Sequence, residues 1–264
     1  MTVRVERGLD QLVKGRYKML GTEAHIALSC ETAGSLALAE GECRRLDRRW
    51  NATRPESEIA HLNSAREGIV VLAPELYGLI EAVIEARRAA FGELDDFELL
   101  PSSCAVMVPA GARFCLGRIV HAAAADALAG VLSTAGARGV CVNVGGYVRA
   151  VGVAPGVGPW VLSPVAEIGW SVVLAAGALS SSTGGPDHVV GFIGRPLCRR
   201  EGERLVSVTV IAERAVQTAV LADAAVGMGL TNGRWLLEQL DVAAVLLRAN
   251  GELVEVGNVR EFRA

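Results

Sequence analysis

Apolar positions along this chain change rhythm several times, and each change marks a different kind of element. Through residues 18–29 they alternate loosely with polar ones, the period of a strand with one wet face. From Leu36 the spacing lengthens to threes and fours through Ala39, Cys43, Leu46 and Trp50, which predicts an amphipathic helix with its arginines in water. Leu76, Leu79 and Val83 repeat that spacing after Pro74, which suits a first helical turn because it has no N–H to leave unpaired. Gly92 supplies a C-terminal stop. An alanine-rich helix is expected over residues 119–132.

Beyond Gly139 the pattern turns to strands, expected at 140–144, 147–153, 160–162, 171–175, 188–193 and 205–212. Ser180-Ser-Ser-Thr-Gly-Gly185 reads as a loop between two of them. Residues 215–230 read as a charge-poor helix buried on most sides, with a short helix around 234–240 after it. Segments 242–248 and 252–256 flank Asn250-Gly251, which predicts a hairpin with a type I′ turn. Helices and antiparallel hairpins mix without regular alternation, so the expected fold class is α+β, a mixed sheet with packed helices. One domain over residues 1–264 is expected, open to division into two lobes.

Composition changes the picture mainly by exclusion. At 51% hydrophobic and 21% charged the chain is globular rather than disordered. A net charge of −3 offers no basic field for a nucleic-acid backbone, so nucleic acid is not an expected partner. No apolar run is long enough to span a bilayer, and the charged first twenty residues lack a signal-peptide segment. No membrane partner is expected, and a cytoplasmic location is. The six cysteines, Cys30, Cys43, Cys104, Cys115, Cys141 and Cys198, show no zinc-type spacing, and most of them, Cys115 included, read as small buried apolar residues.

Asp223 stands inside the charge-poor helix, where an unpaired carboxylate is costly. It is therefore a ligand or acid–base group, or the partner of a buried arginine. His188 opens a strand after the serine loop, either near a bound phosphate or as a loop-edge residue with one hydrogen bond. Ser181 and Ser182 could present hydroxyls and amides to phosphate, or belong to a plain turn. Asn143-Val-Gly-Gly146 lets a backbone approach a ligand, or closes a hairpin. His121 reads as a helix-start residue, and Tyr77, Trp160 and Trp170 as core packing rather than ring stacking.

Arg54-Pro-Glu-Ser-Glu58 with Leu62-Asn63, followed downstream by Asn143-Val-Gly-Gly146, resembles the signature stretches of the ApbE-type FAD:protein FMN transferases. Met19-Leu-Gly-Thr22, Gly92-Glu-Leu-Asp95 and Ser207-Val-Thr-Val-Ile-Ala212 resemble further segments in the same order, and the order makes the resemblance specific. It implies an ApbE-like flavin-transferase fold. It also implies FAD held through its pyrophosphate with Mg²⁺, and FMN moved onto a Thr or Ser of a client protein. The site residues it implies are Asp223 and His188 for the chemistry, with Asp223 as metal ligand. Asp95, Asn143, Gly145, Gly146, Ser181 and Ser182 would surround the cofactor. A divalent cation there would neutralise the diphosphate and the leaving AMP, and would need hard oxygen ligands.

The chain departs from the family pattern in the same regions. Cys115 stands where the family has Asp, Arg118 where it has Gly, and His121-Ala122 where it has Lys-Gly. In the gapless alignment Ala219 takes the place of the ligand Asp, and Asp223 follows one helical turn later. Three functions stay open. One is a divergent flavin transferase or FAD pyrophosphatase, and the second is an enzyme repurposed for another substrate. The third is a non-catalytic protein that binds a flavin or a partner. An enzyme is the leading expectation.

Overall fold

The computed structural model describes residues 12–29, 34–91, 98–112, 114–156, 158–162, 169–183 and 205–264. The strand expected at 18–29 is the second arm of a hairpin, β1 (Leu12–Met19) and β2 (Thr22–Ser29). Met19 pairs with Thr22, and the two-residue turn puts Leu20 at φ 52° and Gly21 at φ 75°. Leucine is a poor residue for left-handed backbone, so nothing local announces this turn.

Helix α1 (Ser35–Trp50) buries Ala39, Cys43, Leu46 and Trp50, as the spacing predicts. Helix α2 (Glu58–Ser64) starts at Ser57, whose Oγ accepts the Ala60 N–H at 3.1 Å. Three short strands lie outside the periodicity reading because each is too brief to show a period: β3 (Gly68–Val71), β4 (Glu98–Leu100) and β5 (Ala105–Val108). They make a separate antiparallel sheet in the order β3-β5-β4. Helix α3 (Pro74–Phe91) leaves β3, and α4 (Gly117–Thr134) follows β5.

The remaining elements are β6 (Gly139–Val144), β7 (Tyr147–Gly152), β8 (Trp160–Leu162), β9 (Val172–Leu174), β10 (Gly177–Thr183), β11 (Leu205–Ala212), α5 (Ala215–Gln239), β12 (Ala243–Arg248) and β13 (Leu253–Val256). Eight strands form the main sheet, antiparallel throughout, in the order β1-β2-β6-β7-β10-β11-β12-β13. The α+β expectation holds.

Period-two alternation sorts side chains onto two faces. Val140, Val142, Val144, Tyr147 and Ala178 join the core under α1, α3 and α4, and Val208 and Val210 meet α5. Ala150, Leu179, Ile211 and Val245 meet the β8–β9 hairpin and Val259 on the opposite face. Each buried aliphatic side chain adds about 2 kcal/mol by leaving water, so both faces are held firmly.

Several expectations are corrected. Ser180-Ser-Ser-Thr183 is not loop but the end of β10, paired with Ser207–Val210 of β11. The polar composition misled because Ser181 and Ser182, on opposite faces, each find a side-chain partner there. Only Gly251 of the Asn250-Gly251 pair has positive φ. The hairpin closes by Gly251 N–H to Arg248 O at 3.0 Å, a three-residue loop rather than type I′. Helix α5 spans both expected helices and kinks at Gly229 (φ 75°, ψ −177°). Cys115 is exposed rather than buried. The strand expected at 188–193 and the Gly92 stop lie outside the described residues. Among the described residues no helix is long and apolar enough to cross a membrane.

Candidate functional site

Two clamps fix the elements that carry the polar rim. Asn63 at the end of α2 treats Phe114 as a strand partner would. Its Oδ1 accepts the Phe114 N–H at 2.7 Å, and its Nδ2 donates to the Phe114 carbonyl at 3.1 Å. The chain is therefore held just before α4 begins. Within α4, Asp126 caps the next helix from outside: its two oxygens accept the Ala215 and Val216 N–H groups at 2.9 and 3.1 Å. Carboxylate at a helix N-terminus is favourable both as a cap and against the dipole. Arg149 lies 3.5 Å from the same carboxylate, which is 8% exposed.

With α4 and α5 locked together, Arg118 on the first turn of α4 meets Asp223 on α5. Arg118 Nη1 lies 3.1 Å from Asp223 Oδ1 and 3.0 Å from Ser182 Oγ at the end of β10. Ser182 Oγ in turn donates to the same Asp223 oxygen. Each hydrogen bond supports the next, since the serine accepts from the guanidinium and donates to the carboxylate. The Arg118 side chain is 46% exposed and that of Asp223 is 24% exposed. Of the two sequence alternatives for Asp223, the structure supplies the arginine partner, although that arginine reaches solvent.

His121, one turn after Arg118, is the second feature of the rim. Its Nε2 lies 3.0 Å from the Leu20 carbonyl, an atom that only accepts. Nε2 therefore carries the proton. Burial pushes the His121 pKa down, against a smaller upward pull from the Leu20 carbonyl, so the ring is neutral near pH 7 and Nδ1 holds a lone pair. Nδ1 faces Gly145: a Cβ on that residue would meet it at 3.1 Å and Thr22 Cγ2 at 3.1 Å. Gly145 also has φ 58°, so glycine serves here both for conformation and for close approach. The Tyr147 ring centroid stands 6.2 Å from that of His121. Burial raises the Tyr147 pKa, the charge of Asp223 adds to this, and Arg118 opposes it. Tyr147 is thus a neutral phenol beside the ion pair.

The predicted residues divide between places. Asp223, Ser182 and Gly145 come together on the helix face. Ser181 does not: alternation turns it to the other face, where its hydroxyl bonds Thr209 Oγ1 at 2.7 Å. Asn143 shares the face of Cys141 and closes its own turn, Oδ1 accepting the Gly146 N–H at 2.9 Å. Of the two open readings for Asn143-Val-Gly-Gly146, Asn143 and Gly146 serve the hairpin, and Gly145 brings the backbone to His121. Asp95 and His188 lie outside the described residues. Tyr77 and Trp160 are buried in the core, and Trp170 carries the Arg263 guanidinium 5.3 Å from its ring.

A magnesium ion at Asp223 does not fit this donor set. Among the described residues no three of His, Cys, Asp and Glu converge to hold a metal. One Asp223 oxygen, Oδ1, already accepts from a guanidinium and a hydroxyl. Magnesium asks for octahedral oxygen ligation near 2.1 Å, and a positive guanidinium at the same oxygen opposes it. A half-exposed arginine fork suits anionic phosphate oxygens instead.

Sequence reading missed the clamps Asn63–Phe114 and Asp126–Ala215; it took Arg118 only as a departure from a pattern and His121 as a departure and a helix-start residue. One signal was available: Arg118 and His121 are three apart at a helix start, hence on one face.

The ApbE family profile matches residues 93–246, more than half of the chain. No curated protein matches significantly. Among solved structures, the ApbE protein from Thermotoga maritima is 18% identical with a TM-score of 0.81, covering 96% of this chain and 100% of its own. The apo form of the flavinyl transferase ApbE of Pseudomonas stutzeri is 16% identical with a TM-score of 0.79, covering 98% and 100%. The flavin transferase ApbE of Vibrio cholerae is 14% identical with a TM-score of 0.80, covering 98% and 100%. At these identities the likeness is one of fold.

Proposed function

The chain belongs to the ApbE family, and from that premise we propose that it takes FAD or a related flavin nucleotide into the rim around Arg118 and His121, in a flavin-transferase-like role. The observation that supports this reading is the convergence of separate segments, family-like and divergent, at one end of the sheet. The β1–β2 turn, the start of α4, the β6–β7 turn, the end of β10 and α5 all contribute to it. Arg118 offers a fork for diphosphate oxygens, and Asp223 with Ser182 holds that fork in place.

In the finer form of the proposal, FMN passes to a Thr or Ser of a client protein. The hydroxyl oxygen bonds the FMN-side phosphorus, the bond from that phosphorus to the bridging oxygen breaks, and AMP leaves with the electron pair. The hydroxyl proton needs an acceptor. Among the described residues, the His121 Nδ1 lone pair is suited to take it, because the other nitrogen is committed to Leu20. Asp95 and His188 belong to the same proposal as contributors from their segments.

Flavin fluorescence on titration with FAD tests the binding claim, and chromatographic detection of AMP with a fluorescent client peptide tests the transfer. Saturable quenching that weakens in Arg118→Gln is expected. Binding without AMP release would leave a flavin-holding protein, and no flavin binding would point to a repurposed site.

A further inference from the structure

We propose that this site carries its own permanent cation: the Arg118 guanidinium stands beside Asp223 and Ser182 in place of a divalent ion, and an anionic flavin nucleotide binds without magnesium. The inference rests on the nucleotide-binding reading above and deepens it.

Three observations support it independently. First, Arg118 Nη1 contacts both Asp223 Oδ1 and Ser182 Oγ, so a permanent positive charge already sits against the one carboxylate available to a metal. Second, the described residues offer no group of three or more His, Cys, Asp or Glu side chains that could hold a metal. Third, the described residues engage Arg118 only through Nη1, and the side chain remains 46% exposed. A guanidinium has five N–H donors, so Nε and Nη2 stay open to an incoming phosphate.

Charge bookkeeping gives the functional consequence. A carboxylate with a divalent ion presents one net positive charge to the ligand, whereas a carboxylate with a guanidinium presents none. Affinity for the diphosphate then comes from directed N–H donors rather than from net field. It should ignore magnesium and chelators alike. The guanidinium also cannot be removed, as its proton stays bound at any pH the fold survives.

The test uses the full chain and begins with the metal alone. Titration of Mn²⁺ into the nucleotide-free protein, read by the electron paramagnetic resonance of free Mn²⁺, should show no stoichiometric site. FAD affinity, read by flavin fluorescence, should agree within about twofold in EDTA and in excess Mg²⁺, because no metal bridges protein and phosphate. Arg118→Gln should weaken FAD by about tenfold or more, and Mg²⁺ should not restore it. Arg118→Lys keeps the charge without the fork and should fall between the two. A one-to-one Mn²⁺ site lost in Asp223→Asn, or FAD binding that requires Mg²⁺, would overturn the proposal. If FAD binds under neither condition, the flavin reading fails on its own, and the Mn²⁺ titration still decides the question of the cation.

Discussion

Two arginine–aspartate pairs in this molecule look alike on paper and differ in what surrounds them. Arg54 meets Asp47, whose carboxylate also accepts the Leu20 N–H at 2.7 Å and the Asn51 amide at 2.9 Å. Burial pushes the Asp47 pKa up, but those donors and Arg54 together hold it below the ordinary carboxylate value. Arg118 meets Asp223 directly and also through Ser182; both guanidiniums are about half exposed, but Asp223 is 24% exposed where Asp47 is 13%. The first pair is tied to backbone and pins the strained Leu20 turn, whose carbonyl takes the His121 ring. The second is tied to side chains from three separate elements. Anchoring to backbone makes a scaffold; a pair joined by side chains can be shared with a ligand.

The largest expected effect breaks the scaffold pair. Asp47→Ala leaves the Leu20 N–H and Arg54 without their acceptor and should cost about 3 kcal/mol in urea unfolding. Because the folded pKa of Asp47 is depressed, its contribution is present above the unfolded value of about 3.9 and is lost as pH falls through the lower folded value. The acid limb of stability should therefore flatten in the variant. If both proteins lose stability along the same acid curve, the scaffold role of Asp47 is wrong.

Next come the clamps that set the second pair. Asp126→Ala removes an inter-helix cap and should cost about 2 kcal/mol, with faster amide exchange at Val216 and the following residues of α5. Unchanged exchange there would mean that α5 is held by packing alone.

His121 offers a smaller effect, read by pH. Its pKa is lowered in the fold, so below an unfolded value of about 6.5 the unfolded chain takes up a proton that the native ring resists. Stability should be full at pH 8 and fall as pH drops below about 6.5, and His121→Gln should remove that slope. A slope that survives the substitution would assign it elsewhere.

The smallest change sharpens the comparison most. Asp223→Asn should shift unfolding by less than about 1 kcal/mol, since its partner is half exposed. FAD affinity should hold or rise, because one negative charge leaves the neighbourhood of the diphosphate. Loss of FAD binding together with loss of a stoichiometric Mn²⁺ site would return Asp223 to the role of metal ligand.

Much of the architecture was legible from spacing alone. The buried face of α1, the helix α4 and the strands β6, β7 and β11 all follow from local period and composition. The β10 strand did not, because Ser180-Ser-Ser-Thr183 has a loop-like composition, and only its pairing with β11 makes it a strand. The Leu20-Gly21 turn escaped because leucine argues against it. For the site, sequence pointed to Asp223, Ser182 and Gly145 but could not separate Ser181 from Ser182. Adjacent residues in a strand face opposite ways, and that distinction needs the strand to be recognised first.

By itself, then, the order of residues determined which positions must leave water and hence which elements form, since burial of one face is written in the local period. It also carried the scattered family-like segments. Only the tertiary structure decided that Arg118 would answer Asp223 across 105 residues, that His121 would spend one nitrogen on Leu20, and that Ser181 would turn away. Such pairings depend on how helices settle on a sheet, and packing of that kind joins side chains with no fixed separation along the chain.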